Sequence, residues 1–147
     1  MGTINTSISI EAPPAVVWDV LMDFDSYPEW NPFIRSITGS PAVGTKIEAL
    51  LGASGKKPMK FSPVVQELSS PSRFSWLGSF GFKGVFDGRH SFELEETTEG
   101  TIFHQHEEFS GILAPIALPA LRASTTRGFN EMNQALKERV EESIPGF

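Results

Sequence analysis

The sequence predicts an α+β fold of the helix-grip type, in which a curved seven-stranded antiparallel sheet wraps around one long C-terminal helix. Alternating apolar residues indicate strands, and short connections rich in turn residues favour antiparallel neighbours. An apolar stripe at helical spacing runs from Pro119 to Ser143. Because one face of the sheet needs a cover and the long helix is the available one, an internal cavity can remain between them. A solid two-layer packing is the alternative.

The N-terminal quarter of the chain predicts one strand followed by two short helices. Ile4, Ile8 and Ile10 alternate with polar residues, as in a half-buried strand over residues 4–10. Residues 15–23 predict a first helix. The segment 25–32 is bounded by proline and predicts one further helical turn.

The middle of the chain predicts six more strands, and the end predicts the long helix. Gly, Ser and Pro clusters separate the strands, which gives a meander. The six strands are expected at residues 34–38, 45–51, 59–68, 72–78, 85–95 and 101–110.

Composition limits the classes of protein that the chain can belong to. It has 147 residues, a formal net charge of −6 and no cysteine, which fits a single domain over residues 1–147 without disulfides or thiolate metal sites. The acidic balance argues against nucleic-acid binding. We see no signal peptide and no segment for stable membrane insertion, so we expect a cytoplasmic protein. We also expect a monomer or weak homodimer. Twelve Phe against one Tyr indicate either a dense core or an apolar cavity.

Strand parity brings three polar residues to the inner face of the sheet. His90 shares a face with Phe92, and Gln105 and Glu107 share a face with Phe103. His90 could act as a general base, with Glu107 orienting or protonating and Gln105 bonding a ligand carbonyl. Alternatively, His90 and Glu107 bond each other or the backbone and only satisfy buried polarity.

Aromatic and apolar residues supply the expected wall of the cavity. Phe80 and Phe82 lie in a glycine-rich loop and either fold into the core or line an entrance, and Trp30 and Phe33 either gate the ligand or fix a corner. The expected ligand-binding residues are Trp30, Phe33, Trp76, Phe80, Phe82, Phe86, His90, Phe92, Phe103, Gln105, Glu107, Phe109, Phe129, Met132 and Leu136.

A second polar set lies on the opposite face of the last strand. His104, His106 and Glu108 have the residue types of a metal site, but parity turns them outward, so we interpret them as a solvated surface. We predict no metal and no cofactor. Phosphate-binding loops and serine nucleophile motifs are also absent from the sequence.

Four stretches carry a family resemblance: residues 10–23, the Tyr-Pro-Glu-Trp-Asn-Pro run at 27–32, and residues 86–94 and 107–115. They resemble the SRPBCC superfamily, which includes START-like lipid-binding domains, the birch-pollen-allergen fold and polyketide cyclase/dehydrase-like proteins. The resemblance covers nearly the whole chain in order and implies a START-like ligand-binding domain. Similar sequences often carry His where this chain has Gln105.

Three functions are compatible with these observations. The first is binding of a small hydrophobic molecule, either lipid-like or polyketide-like and aromatic, in the internal cavity. The alternative is a cofactor-independent polyketide cyclase or dehydratase that uses His90 and Glu107. A third is a partner-binding module like a chaperone co-factor, for which we expect a solid interior and a large exposed apolar patch.

Overall fold

A computed structural model describes residues 2–80 and 82–144 of the chain. It contains eight strands, three α-helices and one 3₁₀ turn in these residues. In chain order they are β1 (Gly2–Ile10), α1 (Pro14–Met22), a 3₁₀ turn (Phe24–Ser26), α2 (Tyr27–Trp30), β2 (Ile34–Thr38), β3 (Glu48–Leu51), β4 (Met59–Phe61), β5 (Val64–Ser69), β6 (Arg73–Ser79), β7 (Asp87–Thr97), β8 (Gly100–Ser110) and α3 (Ala114–Ser143).

The strands form two antiparallel sheets. One has the order β1-β8-β7-β6-β5 and the other β2-β3-β4. An isolated bridge between Lys46 and Val64 connects them, with backbone bonds from Ile47 N to Pro63 O at 2.9 Å and from Val65 N to Thr45 O at 3.0 Å. The predicted α+β class, with a large antiparallel sheet packed against a long C-terminal helix, is therefore confirmed.

The strand count corrects the prediction of seven. The expected strand at 59–68 is two strands, β4 and β5, because Pro63 has no backbone N–H to continue the ladder. The strand expected at 45–51 is regular only from Glu48. These breaks divide the predicted single sheet in two.

Helix α3 begins at Ala114, five residues before the predicted start, and contains Pro119 in its interior. A proline there removes the bond to the carbonyl of Pro115. Both prolines are exposed, so water can satisfy that carbonyl. The helix ends at Ser143; Pro145, which the sequence suggests as its stop, lies outside the described residues.

The two halves of α3 pack differently. Beyond Ala114 and Leu118, the residues up to Arg127 are exposed or half-buried. From Gly128 onward the helix is buried on one face, where Phe129, Met132 and Leu136 lie against the five-stranded sheet. We call the space at this second half, with Phe92 and Phe103 on the sheet side, the packed half.

Candidate functional site

A cavity of about 320 Å³ lies between the sheets and the first half of α3. This volume is at the lower end of the range for small-molecule sites. Leu51 and Phe61 line it from the smaller sheet, Phe109 from β8, and Ser124 and Thr125 from the helix. We call this region the hollow half, because the α3 residues that line it, Ala120, Leu121, Ser124 and Thr125, include no aromatic side chain.

Five of the residues expected to bind a ligand line this cavity: Phe33, Trp76, Phe80, Glu107 and Phe109. The loop at residues 52–58 and β4 complete the mouth, where Lys56, Lys57 and Met59 also contribute.

The other expected residues lie elsewhere. His90, Phe92, Phe103, Gln105, Phe129, Met132 and Leu136 are buried in the packed half and do not line the cavity. Phe86 stacks between Phe80 and Phe109, with ring centroids 5.0 and 5.5 Å away. Trp30 packs edge-on against Tyr27 at 5.2 Å, and Phe82 is 84% exposed.

His90 and Glu107 form a hydrogen-bonded pair at the border of the two halves. Their strands are paired so that His90 faces Glu107 across β7 and β8. His90 Nδ1 lies 3.0 Å from Glu107 Oε1, and the histidine is 1% exposed while the glutamate side chain is 16% exposed. Among the described residues, Glu107 is the one acidic side chain that lines the cavity. The pair therefore contacts the cavity through Glu107 alone.

The absence of a side chain at a glycine on β7 makes room for the Glu107 carboxylate. Gly88 lies next to it on β7, and a Cβ at that position would overlap Glu107 Oε2. Gly88 thus leaves room for the carboxylate to lie against β7, with Oε1 next to His90 Nδ1 and Oε2 next to Gly88.

Behind His90, a chain of buried polar side chains reaches helix α3 and strand β1. His90 Nε2 lies 2.9 Å from Gln105 Oε1, and Gln105 Nε2 donates to Asn133 Oδ1 at 2.7 Å. Asn133 Nδ2 then donates to Thr6 Oγ1 at 2.9 Å. Gln105 therefore binds His90 and does not reach the cavity.

Sequence reasoning missed Asn133 and gave Thr6 no role in the site. Asn133 lies beside Met132 in the helix and faces the sheet. The signal that could have found it was a polar side chain at a buried helix position, which needs an internal partner.

Aromatic rings enclose the His90 imidazole. Trp76 stacks on it with centroids 5.0 Å apart, Phe92 lies at 4.7 Å, and Phe129 contacts it edge-on at 4.9 Å. Such rings hold the imidazole in one orientation, and the face of Trp76 is attractive to a cationic ring.

Polar contacts fix the loop at residues 52–58 over the cavity mouth. Ser54 donates to Glu131 from its N–H at 3.0 Å and its hydroxyl at 2.6 Å, and Arg127 donates to Ser54 O at 2.6 Å. The Ser54 hydroxyl and N–H hold the pKa of Glu131 below its usual range. Arg35 donates to the carbonyls of Gly52 and Ala53 from the other side. The mouth is therefore attached to α3 by charged groups.

A second, open groove lies on the other side of Phe61 and Phe80, which contribute to both spaces. Leu77 and Lys83 also line it. The Phe61 and Phe80 rings meet edge to face at 4.5 Å and separate the groove from the cavity.

The outward set on β8 is placed as parity predicts. His104 bonds Glu95 at 2.9 Å on the outer surface. Partial burial lowers the pKa of His106, with smaller opposing effects from neighbouring charges. Among the described residues, no group of three His, Asp or Glu side chains could hold a metal ion.

The fold and the site define a class of protein: an α+β domain whose long helix and curved sheets enclose a small, mainly apolar cavity with one acidic group on its wall. A family model described as polyketide cyclase / dehydrase and lipid transport matches residues 1–141. The chain belongs to this family, and the SRPBCC-type resemblance is confirmed.

One known protein is similar in sequence. The oxopyrrolidines biosynthesis cluster protein O of Penicillium oxalicum is 28% identical, over 76% of this chain and 64% of that protein. The chain thus spans less than two thirds of that relative's length.

Solved structures share the fold at low identity. TTHA0849 from Thermus thermophilus has a TM-score of 0.75 and 16% identity, covering 98% of this chain and 100% of that one. Ara h 8.0201 has a TM-score of 0.69 and 17% identity, covering 95% and 97%. The di-domain ARO/CYC BexL from the BE-7585A biosynthetic pathway has a TM-score of 0.76 and 14% identity, covering 95% and 50%.

No helix in the described part of the chain is long and apolar enough to cross a membrane.

Proposed function

We propose that the protein binds a small hydrophobic molecule in the cavity between the sheets and the first half of α3. The observation that carries this proposal is the contrast between a tightly filled packed half and an adjoining cavity of about 320 Å³ with mainly apolar walls. Well-packed interiors contain few voids larger than a water molecule, and a mainly apolar space of this size is suited to a small hydrophobic ligand. The family description, which includes lipid transport, supports this function.

The test fills the cavity with a larger side chain placed on helix α3. Thr125 lines the cavity and is half-buried, whereas Ala123 on the same helix is exposed and does not line it. We expect Thr125→Trp to weaken binding of the uncharged fluorescent probe N-phenyl-1-naphthylamine by at least about tenfold, because the indole fills the space.

Ala123→Trp is the matched control and should bind the probe like the unmodified protein, since its indole lies on the exposed face of α3. Titration of the probe emission measures both affinities. If the unmodified protein does not bind the probe at micromolar concentration, or if both variants bind it equally well, the proposal is wrong.

A second candidate function is supported by the Glu107–His90 pair. A carboxyl group on the cavity wall with a histidine behind it can take a proton from a carbon beside a ligand carbonyl and return it after the carbon skeleton has rearranged. This is the proton chemistry of a cofactor-independent cyclase or dehydratase. The family description and the biosynthesis-cluster relative agree with it.

Glu107→Gln separates this function from binding alone. The amide has the shape of the carboxyl group but does not carry the proton, so we expect probe binding to remain and turnover of a bound polyketone to be lost. Product formation measured by mass spectrometry distinguishes the two. Turnover that persists in Glu107→Gln would exclude Glu107 as the acid–base group.

A further inference from the structure

The buried hydrogen-bond chain behind His90 fixes where the protons of the site lie. The Thr6 hydroxyl has one proton, which it donates to the backbone carbonyl of Gln105 at 2.8 Å. Its oxygen can then only accept, so Asn133 turns its NH₂ group toward it at 2.9 Å. The oxygen of Asn133 consequently faces Gln105, which must present its own NH₂ group at 2.7 Å.

A second contact gives the same orientation of the Gln105 amide. Gln105 Nε2 lies 3.4 Å from the backbone carbonyl of Phe129. A flipped amide would instead bring the Gln105 side-chain oxygen next to that carbonyl oxygen, and two acceptors cannot form a hydrogen bond. With Nε2 on the helix side, Gln105 Oε1 faces His90 Nε2 at 2.9 Å. Because an amide oxygen only accepts, His90 Nε2 must carry a proton.

The other nitrogen of His90 then decides the charge of the pair. Nδ1 and Glu107 Oε1 lie 3.0 Å apart and need one proton between them, since two bare acceptors at this buried contact would remain unsatisfied. The pair is therefore either an imidazolium beside a carboxylate or a neutral histidine beside a protonated carboxyl. Both forms have the same two protons and no net charge.

We propose that the cavity selects uncharged ligands that carry a hydroxyl group, such as phenols and enols, over protonated amines. Glu107 Oε2 lies against Gly88, and both residues line the cavity. In both forms of the pair this oxygen is a hydrogen-bond acceptor, which matches a hydroxyl donor on the ligand. Because the pair has no net charge, any attraction of its carboxylate for an ammonium group is offset by the adjacent imidazolium, so the lost hydration of the ammonium group is not replaced. Lys56 and Lys57 at the mouth disfavour cations further.

Asn133 and Gln105 are positioning residues in this scheme, since they touch no ligand and act through His90. This inference deepens the proposed function and rests on it. A histidine protonated only on Nδ1, beside a carboxylate, would instead give the site a net charge of −1 and favour amines. The orientation of two amides thus determines the class of ligand.

The first measurement is direct and uses the unmodified protein. Nitrogen-15 NMR at about pH 7, close to the range in which an ordinary histidine titrates, should show a hydrogen bonded to His90 Nε2. A bare Nε2 would overturn the proposal.

The second measurement compares three naphthalene probes by calorimetry: 2-naphthol, 2-methoxynaphthalene and protonated 2-(aminomethyl)naphthalene. We expect 2-naphthol to bind about tenfold more tightly than the methoxy compound, as one hydrogen bond allows, and the amine to bind most weakly. Amine binding as tight as that of 2-naphthol overturns this inference. Failure of all three to bind overturns the proposed function itself.

Variants test the positioning role separately. Gln105→Leu removes the acceptor for His90 Nε2, so the preference for 2-naphthol over the amine should shrink or reverse. Glu107→Gln can donate its NH₂ to His90 Nδ1 and keep an oxygen toward the cavity, so it should retain the preference, whereas Glu107→Leu should lose it. Equal preferences in Glu107→Gln and Glu107→Leu would contradict the acceptor role of residue 107.

Discussion

The packed half and the hollow half lie under the same helix, yet the first is filled against the five-stranded sheet and the second, which the smaller sheet also lines, is open. Along the packed half, α3 presents Phe129, Met132 and Leu136 to the sheet. Along the hollow half it presents Leu121, Ser124 and Thr125. The helix thus fills one half with an aromatic ring and long apolar side chains, and it leaves the other with one leucine and small groups, where Leu51 and Phe61 of the smaller sheet complete the wall.

The largest expected difference between the halves is in the cost of removing an aromatic ring. Phe103 is fully buried and stacks on Phe92 with centroids 5.8 Å apart. We expect Phe103→Ala to lower the free energy of unfolding by about 3–5 kcal/mol.

Phe80→Ala is the matched change in the hollow half. Its ring is half-buried at an existing cavity, so the loss should stay below about 2 kcal/mol. Chemical denaturation of both variants measures the two values, and equal losses would contradict the division into a packed and a hollow half.

A smaller effect is expected from placing alanine in α3 on each side of the border. Gly128 packs so closely on Phe33 that a Cβ would overlap the phenyl ring. Gly128→Ala should therefore destabilise the protein by about 1–3 kcal/mol, although alanine is the better helix former.

Ser124→Ala also improves helix propensity but borders the cavity, and we expect a change within about 0.5 kcal/mol. Thermal unfolding of the two variants compares them on the same helix. If Gly128→Ala is as stable as the unmodified protein, Phe33 can move away from the added methyl group.

The smallest effect concerns the mouth of the hollow half. Because Ser54 holds the pKa of Glu131 below its usual range, the ionised carboxylate stabilises the folded state. This contribution is complete above the ordinary glutamate pKa of about 4.3 and is lost as the pH falls through the lower folded-state value.

Hydrogen exchange of the Ser54 amide, which bonds Glu131 Oε1 at 3.0 Å, measures this contact. Protection at Ser54 relative to Ile34 in β2 should fall on acidification in the unmodified protein. Glu131→Leu, which has no acceptor for the Ser54 N–H and hydroxyl, should show low protection at every pH. Unchanged protection in Glu131→Leu would mean that Arg127 and Arg35 are sufficient to hold the loop.

Local sequence pattern predicted most of the fold and the direction of most side chains. Alternation placed His90, Gln105 and Glu107 on the inner face, and the structure buries the first two completely. Alternation predicts the face on which a side chain lies but not its position along the length of the sheet. It therefore does not distinguish Glu107, which lines the cavity, from Gln105, the preceding inward residue of β8, which lies in the packed half.

The remaining features depend on contacts between distant parts of the chain. Asn133 reaches Thr6 across 127 residues, and no local pattern connects them. The start of α3 at Ala114 was missed because Pro119 usually limits a helix, and here its exposed position removes most of that cost. Pro63 is itself a local signal for the break between β4 and β5, because proline interrupts a strand ladder.

For the proposed ligand, the edge-to-face contact between Phe61 and Phe80 sets the length that the cavity accepts. Both half-buried rings line the cavity and also the open groove that Leu77 and Lys83 line. Rotation of these two side chains would join the two spaces, and side-chain rotation is faster than rearrangement of a sheet. A molecule too long for the cavity would then extend past the turned rings into the groove while the backbone keeps its place.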